Sequence, residues 1–279
     1  MKFQTLDLEM HHGIAIIWLN RPEMRNAITD VVVTELHAAL DAVDRDISVR
    51  AVMLAGRGTV FCAGIDVNEM RATANRSARA IRNDALNYAR LLQKLDTLSK
   101  PTVCRVHGAA MGGGIGLVVA CDIAVSTHEA VFRIAGVRLG LVPALVMPYI
   151  VNAIGERNAR RYVLSGEAFS AAEAYRIGMV QDIAPSAELD KKIEDLLGEL
   201  LKGGPGAIAA AKDLIRTVTH APAGEKLLAT TLKRAVAART TDEAREGVLS
   251  FLEKRSPAWA DPDRSAKATR KKTTLAKKS

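Results

Sequence analysis

Two glycine-bearing segments are where this sequence could do chemistry. Phe61-Cys62-Ala63-Gly64-Ile65-Asp66 follows a short apolar run at Ala51-Val52-Met53-Leu54-Ala55, and Gly112-Gly113-Gly114 stands between an apolar run and an apolar helical pattern. Glycine-rich turns that lead into helices leave main-chain N–H groups unpaired and pointing the same way, which suits them to an anion. Their spacing fits neither a nucleotide nor a serine-nucleophile signature. Gly112, Gly114 and Gly116 recur every two residues, and Asp122 comes too early for a dinucleotide fingerprint. No Gly-Lys-Ser/Thr cradle and no G-x-S-x-G elbow occurs. His11 and His12 are adjacent and the other histidines isolated, so no metal-ligand spacing is present, and His107 beside Gly108 reads as a packed loop residue. On spacing alone, tight turns against packed helices are the stronger reading of both segments.

The elements that would position these turns can be read from periodicity. Gly13–Asn20 reads as a mostly buried strand closed by Arg21-Pro22. Thr29 can cap a helix whose Val32, Leu36, Leu40 and Val43 recur at helical spacing. Ala51–Ala55 is a second strand. A longer helix follows, with Ile81, Ala85, Tyr88, Leu92 and Leu95 on one side. Pro101–Val106, Ile123–Val125 and Val131–Ile134 read as further strands, and Ile115–Cys121 as an apolar helix. Strands alternating with helices predict an α/β core with parallel pairing. Beyond Leu189 the pattern is wholly helical, over 189–201, 205–218, 223–238 and 242–255.

Composition narrows the class. The chain has 279 residues, 48% hydrophobic and 25% charged, as expected of a globular body able to bury a sizeable core. Of the net charge of +8, five units fall in 261–279, where seven Lys or Arg face Asp261 and Asp263. A nucleic-acid surface would put the excess on the folded body among aromatic residues, so the tail reads as a solvated terminus and no nucleic-acid partner is expected. Cys62, Cys104 and Cys121 lie far apart with no paired spacing, which points to a reducing, cytoplasmic setting without a disulfide framework. The first residues show no apolar signal region, and no run of about 18 apolar residues is available to span a bilayer.

The order of whole segments adds what spacing lacks. Leu19-Asn20-Arg21-Pro22 with Asn26-Ala27, then Phe61–Asp66, then Gly108-Ala109-Ala110-Met111-Gly112-Gly113-Gly114, Ala120-Cys121-Asp122 and Gly140-Leu141-Val142-Pro143 resemble the crotonase (enoyl-CoA hydratase/isomerase) family. Leu164-Ser165-Gly166, Gly178-Met179-Val180, Glu246-Gly247 and Phe251-Leu252-Glu253-Lys254-Arg255 agree with it. Gly114–Val118, Val137–Ala144 and Gly155-Glu156-Arg157 bring the methylglutaconyl-CoA hydratase-like branch nearest. The resemblance implies a spiral of strand–strand–helix units with an acyl-CoA site over 1–200, a helical trimerisation region over 201–260, and a basic tail over 261–279. It implies self-association as a homotrimer or hexamer, and no cofactor beyond the coenzyme A of the substrate. The N–H groups of Ile65 and Gly113 would form an oxyanion hole around a thioester carbonyl, where losing one donor typically costs ~3–4 kcal/mol of barrier. Coenzyme A would lie along Arg25, Ala27, Ala63, Gly64 and Asp66, with Phe251 and Lys254 closing over its nucleotide end from a neighbouring subunit.

One departure from the family pattern bears on the reaction. The two glutamates that its hydratases usually supply would fall at Gly116 and Gly136, and both are glycine. Each lost carboxylate removes a proton-transfer contribution of ~10²–10⁴-fold. Asp66, Glu69 and Asp122 could stand in, though each has a plainer reading as a turn, helix-start or capping residue. Arg133 and Arg138 could face a substrate carboxylate. The resemblance therefore implies an acyl-CoA enzyme of the hydratase/isomerase type that stabilises a thioester enolate. The alternatives are an inert acyl-CoA binder, or an enzyme of another reaction type whose base is an exogenous anion, as with the bicarbonate that sits beside a glycine in some family members.

Overall fold

The computed structural model describes residues 2–73, 76–219 and 221–260. The basic tail expected over 261–279 lies outside the described residues. Strand β1 (Leu6–His11) returns as β2 (Ile14–Leu19) through a two-residue turn in which His12 and Gly13 take φ of 46° and 85°, as a hairpin twisted like its strands requires. Helix α1 (Asp30–Arg45) starts where expected, with the Thr29 side chain accepting from the Val32 N–H. It buries Val32, Val33, Leu36, Ala39, Leu40 and Val43. Strand β3 (Ala51–Gly56) is buried along its whole length, because both of its faces are covered.

Helices α2 (Val67–Thr73) and α3 (Ala78–Thr97) follow. The chain then alternates between two sheets: β4 (Thr102–Val106), β5 (Ala109–Met111), α4 (Gly113–Ala120), β6 (Ile123–Thr127), β7 (Val131–Arg133), α5 (Met147–Ser165), β8 (Ala168–Ser170), α6 (Ala171–Arg176) and β9 (Asp182–Ala184). Strands β4, β6 and β9 extend a six-stranded sheet in the order β1-β2-β3-β4-β6-β9, parallel except for the first hairpin. Strands β5, β7 and β8 form a separate three-stranded sheet. Successive turns of chain thus give one strand to each sheet, the spiral that the resemblance implies.

Alternation along β3 divides the core. Val52 and Leu54 face the main apolar cluster with α1, α3 and α4, while Ala51, Met53 and Ala55 meet Leu189, Ile193 and Leu197 of α7 (Leu189–Lys202). Helices α8 (Pro205–Thr219) and α9 (Glu225–Arg239) bury no residue, and α10 (Asp242–Leu252) buries only Ser250. Leu228, Leu232, Val236, Val248 and Leu252 are left exposed.

Candidate active site

The small sheet brings the two glycine segments together. Its parallel pairing continues past β5 through a bridge between Cys62 and Ala110, and then through a second bridge between Ile65 and Ile28. The Cys62 N–H donates to Ala109 O (3.1 Å) and the Met111 N–H to Cys62 O (3.0 Å). Both segments therefore end on adjacent rungs. At the second bridge Ile28 donates to Gly64 O (2.7 Å) and accepts from the Asp66 N–H (2.9 Å). Parallel geometry turns the N–H of the intervening Ile65 the other way, away from Ile28. Gly113 is the first residue of α4, so its N–H has no intrahelical acceptor. Among the described residues neither N–H has a hydrogen-bond partner.

Two glycines make the approach possible. Gly64 has φ of 95°, and a Cβ there would lie 2.8 Å from Met111 O. Gly112 takes φ 49° and ψ −117°, which is open to glycine and hostile to side chains. Ile65 and Gly113 then line one cavity of about 350 Å³, within the usual range for ligand sites. Its walls are mostly apolar, from Met70, Leu139, Leu141, Val142 and Val146, and among the described residues no carboxylate lines it. Two unpaired N–H groups on an apolar, carboxylate-free cavity can hold a developing oxyanion. A second hollow of about 310 Å³, beside Asp96, Asp122 and Tyr149, is lined by neither glycine turn.

The remaining expected contacts divide. Arg25, Ala27, Ala63 and Gly64 come together: the Ala63 N–H donates to Arg25 O (3.0 Å), and Arg21 Nη1 to Ala27 O (2.7 Å). The Arg25 side chain is exposed at this rim. Asp66 stands in the same turn with its side chain directed inward. It is only 2% exposed, accepts from Arg21 (3.2 Å) and from the Asn68 N–H (2.9 Å), and so locks the turn from inside. Phe251 is 82% exposed at the end of α10, and neither it nor Lys254 lines the cavity of its own chain. Gly136 lines the cavity at the start of a short 3-10 helix, Gly136–Leu139. Gly116 does not open onto it, because a Cβ there would lie 2.6 Å from both Tyr88 Oη and Val146 Cγ1.

The candidate stand-in acids are all engaged elsewhere. Glu69 pairs with Arg76 (3.1 Å), and Asp122 accepts from Thr102 Oγ1 and Lys212 Nζ (2.8 and 2.7 Å). Burial pushes the Cys62 thiol up to about 12, opposed only by the Gly64 N–H, so it is no nucleophile near neutrality. Burial holds His107 below its usual value, with Arg105 acting the same way, and its Nε2 donates to Gly58 O (2.9 Å). It is the packed loop residue that its position suggests. Arg133 lines the cavity and Arg138 lies nearby; their Nε atoms donate to the Gly166 and Ser165 carbonyls at the end of α5 (3.0 and 3.2 Å).

Sequence reasoning picked out Asn26 only as part of a segment and gave it no role, yet its side chain ties the rim together. Its Oδ1 accepts from the Arg21 N–H (2.9 Å), while Nδ2 donates to Arg57 O and Val60 O (2.8 and 2.9 Å). Asn26→Ala leaves these buried groups unpaired and should cost roughly 3 kcal/mol in urea unfolding. A loss below about 0.5 kcal/mol, the scale of an ordinary surface substitution, would remove this role from Asn26.

The two-sheet spiral with its helical C-terminal region is the crotonase fold. A solved enoyl-CoA hydratase from Shewanella pealeana matches it with a TM-score of 0.90 and 34% identity, over 92% of this chain and 97% of that one. Pseudomonas aeruginosa AtuE matches with a TM-score of 0.88 and 36% identity, over 92% and 100%. The 2,3-dehydroadipyl-CoA hydratase of Escherichia coli is 31% identical, over 88% of this chain and 94% of that protein. The enoyl-CoA hydratase/isomerase family matches residues 9–262, and the chain belongs to that family of acyl-CoA enzymes. Among the described residues no helix is long and apolar enough to cross a membrane, and no group of three or more His, Cys, Asp or Glu could hold a metal ion.

Proposed function

We propose that the cavity takes the acyl thioester of coenzyme A, with the Ile65 and Gly113 N–H groups donating to its carbonyl oxygen. Loss or gain of a proton beside a thioester places negative charge on that oxygen as an enolate. Fixed donors in a water-poor site oppose this charge far better than mobile water does. The observation that carries the reading is the pair of unpartnered N–H groups on one apolar cavity. Arg25, exposed at the rim beside Ala27, Ala63 and Gly64, is placed to meet a phosphate of the coenzyme. Phe251 and Lys254 reach the nucleotide end only from a neighbouring subunit in a homotrimer or hexamer, which agrees with the exposed apolar residues of α9 and α10.

Simple hydration should be slow, because Gly116 and Gly136 offer no proton carrier and, among the described residues, no carboxylate lines the cavity. This favours a second reading, an acyl-CoA binder without turnover or an enzyme whose base is an exogenous anion. Arg133, the one charged residue on the cavity wall among the described residues, could attract such an anion or a substrate carboxylate of the methylglutaconyl-CoA type. A cytoplasmic setting fits the three free cysteines. The test is infrared difference spectroscopy of crotonyl-CoA labelled with ¹³C at the thioester carbonyl. Bound ligand should show its carbonyl stretch at lower frequency than in water. Binding without that shift, or no binding, removes the oxyanion reading.

A further inference from the structure

Three consecutive glycines are a poor support for a donor that must be fixed before charge develops, since each residue has wide conformational freedom. Something outside the turn must hold it. On one side the Gly112 N–H donates to Arg133 O (2.9 Å). On the other, the Tyr88 hydroxyl, from α3, donates to Gly113 O at 2.5 Å. Tyr88 is 7% exposed and lines the cavity. Its Oη would lie 3.4 Å from a Cβ on Gly113 and 2.6 Å from one on Gly116, so it sits in the notch left by these two residues on one face of α4. A phenylalanine would fill the same notch; the hydroxyl adds a hydrogen bond to a backbone carbonyl that the apolar surroundings cannot replace.

We infer that Tyr88 is a positioning residue: its hydroxyl holds the Gly113 carbonyl, on the peptide that follows the donor, and so fixes the Gly113 Cα from which the preceding peptide's N–H is aimed at the thioester oxygen. The inference rests on the oxyanion reading above. Burial, with Cys62 adding to it, keeps the proton on the phenol far into the alkaline range, so the hydroxyl remains a donor at any working pH. The group therefore acts through geometry and takes no part in proton transfer.

The experiment compares the wild-type chain, Tyr88→Phe and Tyr149→Phe, each saturated with carbonyl-labelled crotonyl-CoA. Tyr149 lies on the other hollow, and its variant controls for the general loss of a hydroxyl. In Tyr88→Phe the carbonyl shift should shrink toward the free-solution value with affinity barely changed, while Tyr149→Phe keeps the full shift. A misaimed donor loses catalytic positioning more than ground-state binding, so any turnover should fall in kcat, by up to about 100-fold, with KM little altered. Incorporating 3,5-difluorotyrosine at position 88 keeps ring and hydroxyl but strengthens donation, and should preserve or enlarge the shift. If wild type is shifted and Tyr88→Phe is shifted equally, Tyr88 does not position the donor. An unshifted wild type overturns the oxyanion reading itself.

Discussion

Gly136→Glu should raise crotonyl-CoA hydration by roughly 10²–10⁴-fold over the wild-type chain, the usual contribution of one well-placed general acid or base. Gly136 lines the cavity, and its neighbourhood has room. A Cβ there would first meet Leu141 O at 3.2 Å and then Pro143 Cδ at 3.6 Å, contacts that a small loop movement relieves. Gly116→Glu should give no such gain. Its Cβ would lie 2.6 Å from Tyr88 Oη and Val146 Cγ1, and its carboxylate would be forced among apolar groups. That variant should lose about 2–4 kcal/mol in urea unfolding through overpacking and burial of an unpaired acid. Steady-state hydration assays with both variants decide the matter. A Gly136→Glu protein that binds crotonyl-CoA yet hydrates no faster than wild type would falsify the claim that position 136 is the open place for a proton carrier.

The opposite result is expected from Gly112→Ala. Space is available, since the nearest atom to an added Cβ is Gly64 Cα at 3.9 Å, so the effect is one of backbone conformation alone. With φ 49° and ψ −117° an alanine is strained by about 1–3 kcal/mol. The peptide can escape that strain only by rotating, and rotation swings the Gly113 N–H away from the cavity. The carbonyl shift of bound crotonyl-CoA should be lost. Any turnover, including that gained in a Gly136→Glu background, should drop by about 10²–10³-fold, the effect of deleting one oxyanion donor. An unchanged shift together with unchanged stability would show that the turn tolerates a side chain and that its geometry is not what sets the donor.

How far the sequence foretells this depends on the length of each pattern. Helix α1 is legible because Thr29 and the spacing Val32, Leu36, Leu40, Val43 agree, and α7 because Leu189, Ile193 and Leu197 do. Helix α5 is not. Gly155 sits inside it at φ 71°, so Ile150 and Ile154 before the break do not keep one helical register with Ala159, Tyr162 and Val163 after it. Strands β5 and β8 have three residues each, too few for alternation to register, while the equally short β7 is legible only as the apolar run Val131–Ile134. The proposed donors are backbone atoms with no sequence signal of their own; only the order of whole segments points to Ile65 and Gly113. Tyr88 stands at helical spacing with Leu92 and Leu95, so it reads as core. Its hydroxyl gains a purpose only when α4 arrives from elsewhere in the chain.

That arrival makes residues 88 and 116 competitors for one volume. A side chain at 116 would meet the Tyr88 hydroxyl and the Val146 side chain together, so it cannot enter unless both give way. A lineage moving toward a carboxylate on α4 would have to trim both the α3 phenol and Val146, losing the hydroxyl's bond to Gly113 O before any proton carrier was in hand. Starting from position 136 requires no such detour.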